Sequence, residues 1–275
     1  MRGLFSAGAM DVLMERGFLP QGVIGVSAGA CFGCNFVSGQ KGRSLRYNKQ
    51  LAHDSRHCGL KSLLTTGDIY NARFAYHTVP NEIDIFDNES FLSSGIDFHV
   101  VCTDVVSGKP VYRKCDFGGD RLYEWIRASA SMPMVSNVVE LDGYRLLDGG
   151  ITDSIPLQYF ESIGYDRNIV ILTQPKGYRK RPFGFAPFVR LMLRKYPKVA
   201  ELMAVRHEMY NAQIEYVEQA EAEGRCTVIR PESALPIGHI SHSPSDMQLV
   251  YDLGRKTAED IDLTSLIEDR IDTGA

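Results

Sequence analysis

Two short turns in the 275-residue chain combine residue types that can do covalent chemistry. Gly25-Val26-Ser27-Ala28-Gly29 fits the spacing G-x-S-x-G. In that arrangement a strand turns sharply into a helix, the Ser hydroxyl is left exposed, and the N–H of the next residue is free to receive an oxyanion. A Ser hydroxyl is a weak nucleophile until a base takes its proton, so a partner is needed. Asp148-Gly149-Gly150 supplies one, a carboxylate at the end of an apolar stretch followed by two glycines that let the backbone leave steeply. Burial there would raise the Asp148 pKa towards working pH and suit it to take a proton directly. His239 and His242, in Ile237-Gly238-His239-Ile240-Ser241-His242, offer the alternative order Ser, Asp, His.

These residues need strands and helices to hold them. Val23 to Val26 reads as a short buried strand, and Ala28 to Val37 as a helix rich in small residues. Leu4 to Met14 carries a helical pattern that stops at Gly17. Residues 40 to 95 read as short helices and loops. Phe98 to Thr103 is expected to be a strand, and Leu122 to Met132 a helix ended by Pro133. Val138 to Leu141 and Tyr144 to Leu147 flank Asp142-Gly143, a two-residue hairpin signal that would leave Asp148 at a strand end. Leu157 to Ile163 is a helix, Asn168 to Thr173 a buried strand, Val199 to Glu223 a long helix closed by Gly224, and Thr227 to Ile229 a strand. Ser243-Pro244 opens a last helix with a capping Ser, and the tail beyond Glu259 is acidic. Strands alternating with helices predict an α/β fold with a largely parallel sheet. With no Gly/Ser-rich linker and no repeat, a single domain over 1–275 is expected.

Composition removes several classes. Hydrophobic residues make up 44% and charged residues 23%, ordinary globular usage that excludes disorder and fibrous repeats. The 30 Lys+Arg and 34 Asp+Glu leave a formal charge of −4, against the basic footprint of a nucleic-acid binder. Six scattered cysteines point to reduced thiols and a cytoplasmic chain. The uncharged run Phe18 to Gln40 contains Pro20, Gln21, Asn35 and several glycines, which suits a buried strand–turn–helix better than a membrane span. Cys31 and Cys34 have no second pair at zinc spacing and read as buried small residues, and Asp153 reads as a turn cap. His53 and His57, without the Glu of a metalloprotease helix, read as surface or loop. No metal or cofactor is implied.

One further stretch stands out. From Lys176 to Lys198 there are cations at Lys176, Arg179, Lys180, Arg181, Arg190, Arg194, Lys195 and Lys198, no acid, and interleaved Phe183, Phe185, Phe188, Leu191, Met192 and Leu193. Such a segment either rests on anionic lipid headgroups at the inner membrane surface, aromatics towards the acyl chains, or forms a solvated basic helix over the core.

Taken together, Ser27 in its glycine-flanked turn, Asp148-Gly149-Gly150 and Arg2-Gly3 before the first helix resemble the patatin-like phospholipases, and bacterial cytoplasmic members in particular. Arg127-Ala128-Ser129-Ala130-Ser131-Met132-Pro133 resembles the family's segment before the acidic turn, and Ile155-Pro156-Leu157 resembles the segment after it. The likeness covers about residues 1 to 175, with a helical and basic part from about 176 to 275. It implies a modified α/β-hydrolase, a three-layer sandwich with a mostly parallel central sheet. It further implies a Ser27–Asp148 dyad without His, hydrolysing lipid acyl esters through an acyl-enzyme. The family pattern opens with a strand and a Gly-Gly-Gly-x-Arg-Gly loop that forms the oxyanion hole, of which Met1-Arg2-Gly3 matches the last three positions. The resemblance thus places Arg2 and Gly3 on the oxyanion side, with Ala28 there by its position after Ser27. It also leads to the expectation that the natural chain begins upstream. A Ser-His-Asp esterase using His239 or His242, or a catalytically weak lipid-binding protein, are the alternatives.

Overall fold

In the computed structural model, residues 1–54, 56–182, 184, 186–238 and 241–263 are described. Helix α1 (Leu4–Glu15) leads to strand β1 (Gly22–Val26) and helix α2 (Ala28–Val37), so the uncharged run from Phe18 to Gln40 folds as the expected strand–turn–helix. Short helices α3 (Arg43–Gln50), α4 (Leu60–Thr66) and α5 (Asn88–Ser93) come next, with a π-helical segment Phe74–Ile83 between the last two. Strands β2 (Asp97–Asp104) and β3 (Lys109–Lys114), helix α6 (Gly119–Ala130), and the hairpin β4 (Val139–Leu141) and β5 (Tyr144–Asp148) complete the main sheet. Asp142 and Gly143 both take positive φ, 48° and 83°, the backbone that a two-residue hairpin requires. Helix α7 (Leu157–Ser162), strand β6 (Asn168–Ile171), helices α8 (Ala186–Met192) and α9 (Pro197–Ala222), strand β7 (Cys226–Ile229) and helix α10 (Pro244–Glu259) make up the rest.

The α/β class expected from the sequence is present. The sheet is more mixed than the expected, mostly parallel one: β1–β2 and β6–β7 pair in parallel, whereas β2–β3, β2–β5 and β4–β5 pair antiparallel. Two of the antiparallel pairs arise because β2 turns straight back into β3 and the Asp142-Gly143 turn folds β4 onto β5, connections too short for a parallel crossover.

β2 is the organising strand. β3 lies along one edge of it, from His99 to Asp104. Along the other edge β1 pairs with Asp97 to Val101 and β5 takes over at Cys102 to Asp104. β1 runs parallel to β2 and β5 antiparallel, so the two strands point at each other and their C-terminal ends meet beside Val101 and Cys102. Nearly every β2 side chain is buried, as expected of a strand covered on both faces.

Apolar clusters lie on both sides. Phe98, Val100 and Leu146 pack with Leu122, Trp125 and Ile126 of α6 on one side, and Val105, Leu147 and Ile151 pack with Val199 and Ala200 of α9 on the other. α10 closes the molecule against α1. There Gly8 meets the backbone of Tyr251 and Gly254 that of Phe5, contacts too close for any side chain at either glycine. Buried Asp11 on α1 accepts hydrogen bonds from the Tyr251 hydroxyl and, at 2.8 Å, from the Gly42 N–H.

Candidate active site

The end of β1 delivers Ser27, and its backbone is strained, with φ 54° and ψ −118° on a residue that has a Cβ. Such outliers persist only where the surroundings over-determine them. Here Gly25 is one determinant, since a Cβ on it would sit 2.5 Å from the Ala30 nitrogen. Gly29 is not; a Cβ there would meet nothing within 4 Å. Ser129, fully buried near the end of α6, is the other, because its hydroxyl accepts the Ser27 N–H at 2.9 Å and donates to the Val101 carbonyl at 2.6 Å.

Asp148, the last residue of β5, arrives from the opposite direction. Its N–H donates to the Ser131 carbonyl at 2.8 Å, and its carbonyl accepts the Thr103 hydroxyl at 2.9 Å. One carboxylate oxygen accepts the Gly150 N–H at 2.7 Å. A Cβ on Gly149 would overlap the Val101 carbonyl, so that glycine lets the turn lie flat on β2. The strand register makes Ser27 and Asp148 neighbours, because Val26 lies opposite Val101 and Asp148 opposite Cys102. The Ser27 hydroxyl acts on the buried Asp148 carboxylate, holding its pKa down.

Desolvation raises the Asp148 pKa. The Ser27 hydroxyl, the Gly150 N–H and the positive charges of Arg206 and Lys180 work against that rise. Burial, aided by Arg206 and Arg2, in turn lowers the Lys180 pKa to about 8. The Lys180 ammonium lies 4.5 Å from the centre of the Tyr210 ring, facing inward.

Ser27 opens into a cavity of about 230 Å³. Gly3 and Ala28 line it, with Ala28 Cβ 2.8 Å from where a Gly3 Cβ would be. Its walls are mostly apolar, including Phe32, Tyr76, Val79, Pro80 and Ile126. The π-helical segment contributes Tyr76, Val79 and Pro80, and a widened helical turn of this type often marks a functional site. Arg43, ion-paired with Asp84 at 3.2 Å, also lines the cavity. Cys31 and Cys34 line it as well, and burial pushes both thiols up to about 12, so they are protonated.

The histidines fall differently. His239 lies outside the described residues, as do residues 264–275 of the acidic tail, Phe183 and Phe185. His242 places Nδ1 2.7 Å from the Ala52 carbonyl oxygen, engaged with backbone. His57, expected at the surface or in a loop, lies in a turn but is buried in the cavity wall against Tyr70 and Phe74, and burial lowers its pKa to about 4. Asp153 is more than a turn cap, accepting the Tyr112 hydroxyl and the Gln213 amide, each at 2.7 Å.

Among the basic residues of 176–198, Arg179 pairs with Glu218 at 2.7 Å and Lys180 turns inward, while Arg181, Arg190, Arg194, Lys195 and Lys198 are exposed. Among the described residues no helix is long and apolar enough to cross a membrane. Sequence reading missed Thr103, Arg206 and the inward turn of Lys180. The Ser129 hydroxyl lay within a segment singled out only by resemblance.

A serine in a strained strand-to-helix turn and a buried acid from an Asp-Gly-Gly turn thus stand at the ends of adjoining strands of an α/β protein. The chain belongs to the patatin-like phospholipase family, whose model matches residues 1–161. A second model, a domain of unknown function (DUF6363), matches residues 196–261. The chain is also similar to proteins named as uncharacterized NTE family proteins from Mycobacterium bovis and two strains of Mycobacterium tuberculosis. Each is 29% identical over 170 residues, covering 62% of this chain and 45% of the relative. The chain thus spans less than half the length of these relatives.

Proposed function

We propose that the protein is a serine acyl hydrolase of lipid esters, of the phospholipase A or lysophospholipase type, working through a Ser27–Asp148 dyad. The observation that carries this reading is that Ser27 and the buried Asp148 stand at the meeting ends of β1 and β5, with Ser27 lining an apolar cavity. Asp148 takes the proton as Ser27 Oγ attacks the acyl carbonyl, whose alkyl chain lies in the cavity. The developing oxyanion is received by the backbone N–H groups at Gly3 and Ala28, with the positive end of α2 aimed at it. Arg2 lies on the same side. Collapse breaks the C–O bond, and the proton held by Asp148 passes to the leaving alcohol. Asp148 then takes a proton from water as it attacks the acyl-enzyme carbonyl, and collapse breaks the bond to Ser27 Oγ, which recovers that proton from Asp148 as the fatty acid leaves. No metal or cofactor enters this scheme.

We place the protein in the cytoplasm, consistent with six free cysteines, and read 1–275 as a single patatin-like domain. Arg190, Leu191, Met192, Arg194 and Lys195 form an exposed basic and apolar face suited to anionic lipid.

A fluorophosphonate probe tests the mechanism. It should label Ser27 in the wild type and fail on Ser27→Ala, and Asp148→Asn should slow labelling by about 10³-fold or more. Unchanged labelling in Asp148→Asn, abolished by replacing His239 and His242 together, would favour the Ser-His-Asp alternative. Vesicle binding without any labelling would favour a lipid-binding protein.

A further inference from the structure

The region matched only by a domain model of unknown function reaches into the candidate site. Helix α9 lies within residues 196–261 and touches the Asp148 turn at two places. Arg206 donates from Nε to the Gly150 carbonyl and, at 3.4 Å, from Nη2 to the Ser154 hydroxyl, which itself donates to the Gly150 carbonyl at 2.9 Å. Two turns on, the Gln213 carbonyl oxygen accepts the N–H groups of Ser154 and Ile155 at 3.1 and 3.0 Å, while its amide donates to Asp153 at 2.7 Å. The turn after Asp148 is therefore pinned along one face of α9. Gly150 sits between the two charges: a Cβ on it would be 3.0 Å from Arg206 Nη2 and 3.1 Å from Asp148 Oδ1.

We propose that α9 of this C-terminal region is an integral part of the catalytic apparatus, with Arg206 as the positioning residue that orients Asp148 and holds it as the carboxylate. The proposal rests on the dyad reading given above. A dyad without imidazole places the whole burden of proton abstraction on one buried acid, and desolvation favours its neutral, useless form. A guanidinium fixed across Gly150 opposes desolvation without entering the path to Ser27. The other ionisable groups facing Asp148 do not replace it. Ser27 supplies a neutral hydroxyl, Cys31 and Cys102 are buried thiols held neutral, and Lys180 begins to lose its charge near pH 8.

Three variants of the 275-residue chain test this: Arg206→Gln, Arg206→Lys and Asp148→Asn. In Arg206→Gln the acid limb of kcat/KM should move up by about 1 pH unit. Arg206→Lys keeps the charge and loses the fork, so the limb should return towards the wild-type position while kcat stays about tenfold low at unchanged KM. An acid limb in Arg206→Gln identical to wild type overturns the proposal, as does an unaltered kcat in Arg206→Lys. A second measurement needs no turnover. If Arg206 offsets the buried charge, Asp148→Asn should raise the neutral-pH Tm by at least about 2 °C more when Arg206 is Gln than when it is Arg. If Arg206→Gln does not fold, the same comparison is made in Arg206→Lys, where the extra gain should be small but the Asp148→Asn double variant should still fold. Strict additivity in Arg206→Gln, or failure of that double variant to fold, overturns the proposal. Probe labelling of wild-type Ser27 reports separately on the dyad itself, so failure of the dyad and failure of the Arg206 assignment give different results.

Discussion

Burial raises the pKa of Asp148 above that of a free aspartate, while Ser27, Gly150, Arg206 and Lys180 pull it down. A folded-state pKa above the unfolded one means that the folded protein holds this proton more tightly. The group therefore detracts from stability as pH rises above the unfolded-state value, fully so beyond the folded-state value, and the penalty is gone only below the unfolded-state value. On the proposed dyad reading, the charged form that burial disfavours is the form that takes the Ser27 proton. Asp148→Asn keeps an acceptor for the Gly150 N–H and removes the charge, so it should abolish turnover and raise Tm at pH 7 by about 2–4 °C, as measured by calorimetry. A lower Tm would mean that the carboxylate is better compensated than its burial implies. Ser27 carries a comparable conflict in its backbone, where a positive φ is held by Ser129 and by the close approach of Gly25 to α2.

The strand–turn–helix element makes separable demands on its two glycines. Gly25→Ala drives a methyl into the Ala30 backbone at 2.5 Å and should cost about 1–3 kcal/mol. Gly29→Ala meets open space inside a helix and should be neutral or stabilising by up to about 1 kcal/mol. Urea unfolding of both variants checks this, and equal losses would refute it. The same element was legible in the sequence because an apolar run, a glycine-bracketed Ser and a small-residue helix succeed one another. The Asp142-Gly143 hairpin was legible because only residues tolerant of positive φ fit there. Less visible was β3, Lys-Pro-Val-Tyr-Arg-Lys, whose charged ends and Pro110 obscure any alternation; it forms because β2 offers it a free edge. The π-helical segment carries no periodicity that reading for ordinary helices would detect. Arg206 was hidden for another reason: its link to Gly150 spans 56 residues and depends on how α9 docks, which no local pattern encodes.

At the scale of the molecule, the basic stretch from 176 to 198 does not act as one surface. Arg179 and Lys180 are engaged with α9, and the exposed charge gathers around α8 with Leu191 and Met192, which are 64% and 50% exposed. Combined reversal of Arg190, Arg194 and Lys195 to Glu should weaken sedimentation with anionic vesicles at least about tenfold at low salt, and should leave hydrolysis of a soluble short-chain ester unchanged. Equal binding by both proteins would remove the membrane role of this face. The meeting of β1 and β5 end to end on β2 has a consequence for how the chain can vary. The span between hydroxyl and carboxylate is measured out by a few rungs of one ladder, so the loops between them can lengthen or shorten without disturbing it. A single residue added within β2 near Val101 would part them by about 3.3 Å and swing the remainder of that strand to the opposite face, so on the proposed reading that strand is where the chain tolerates insertion least.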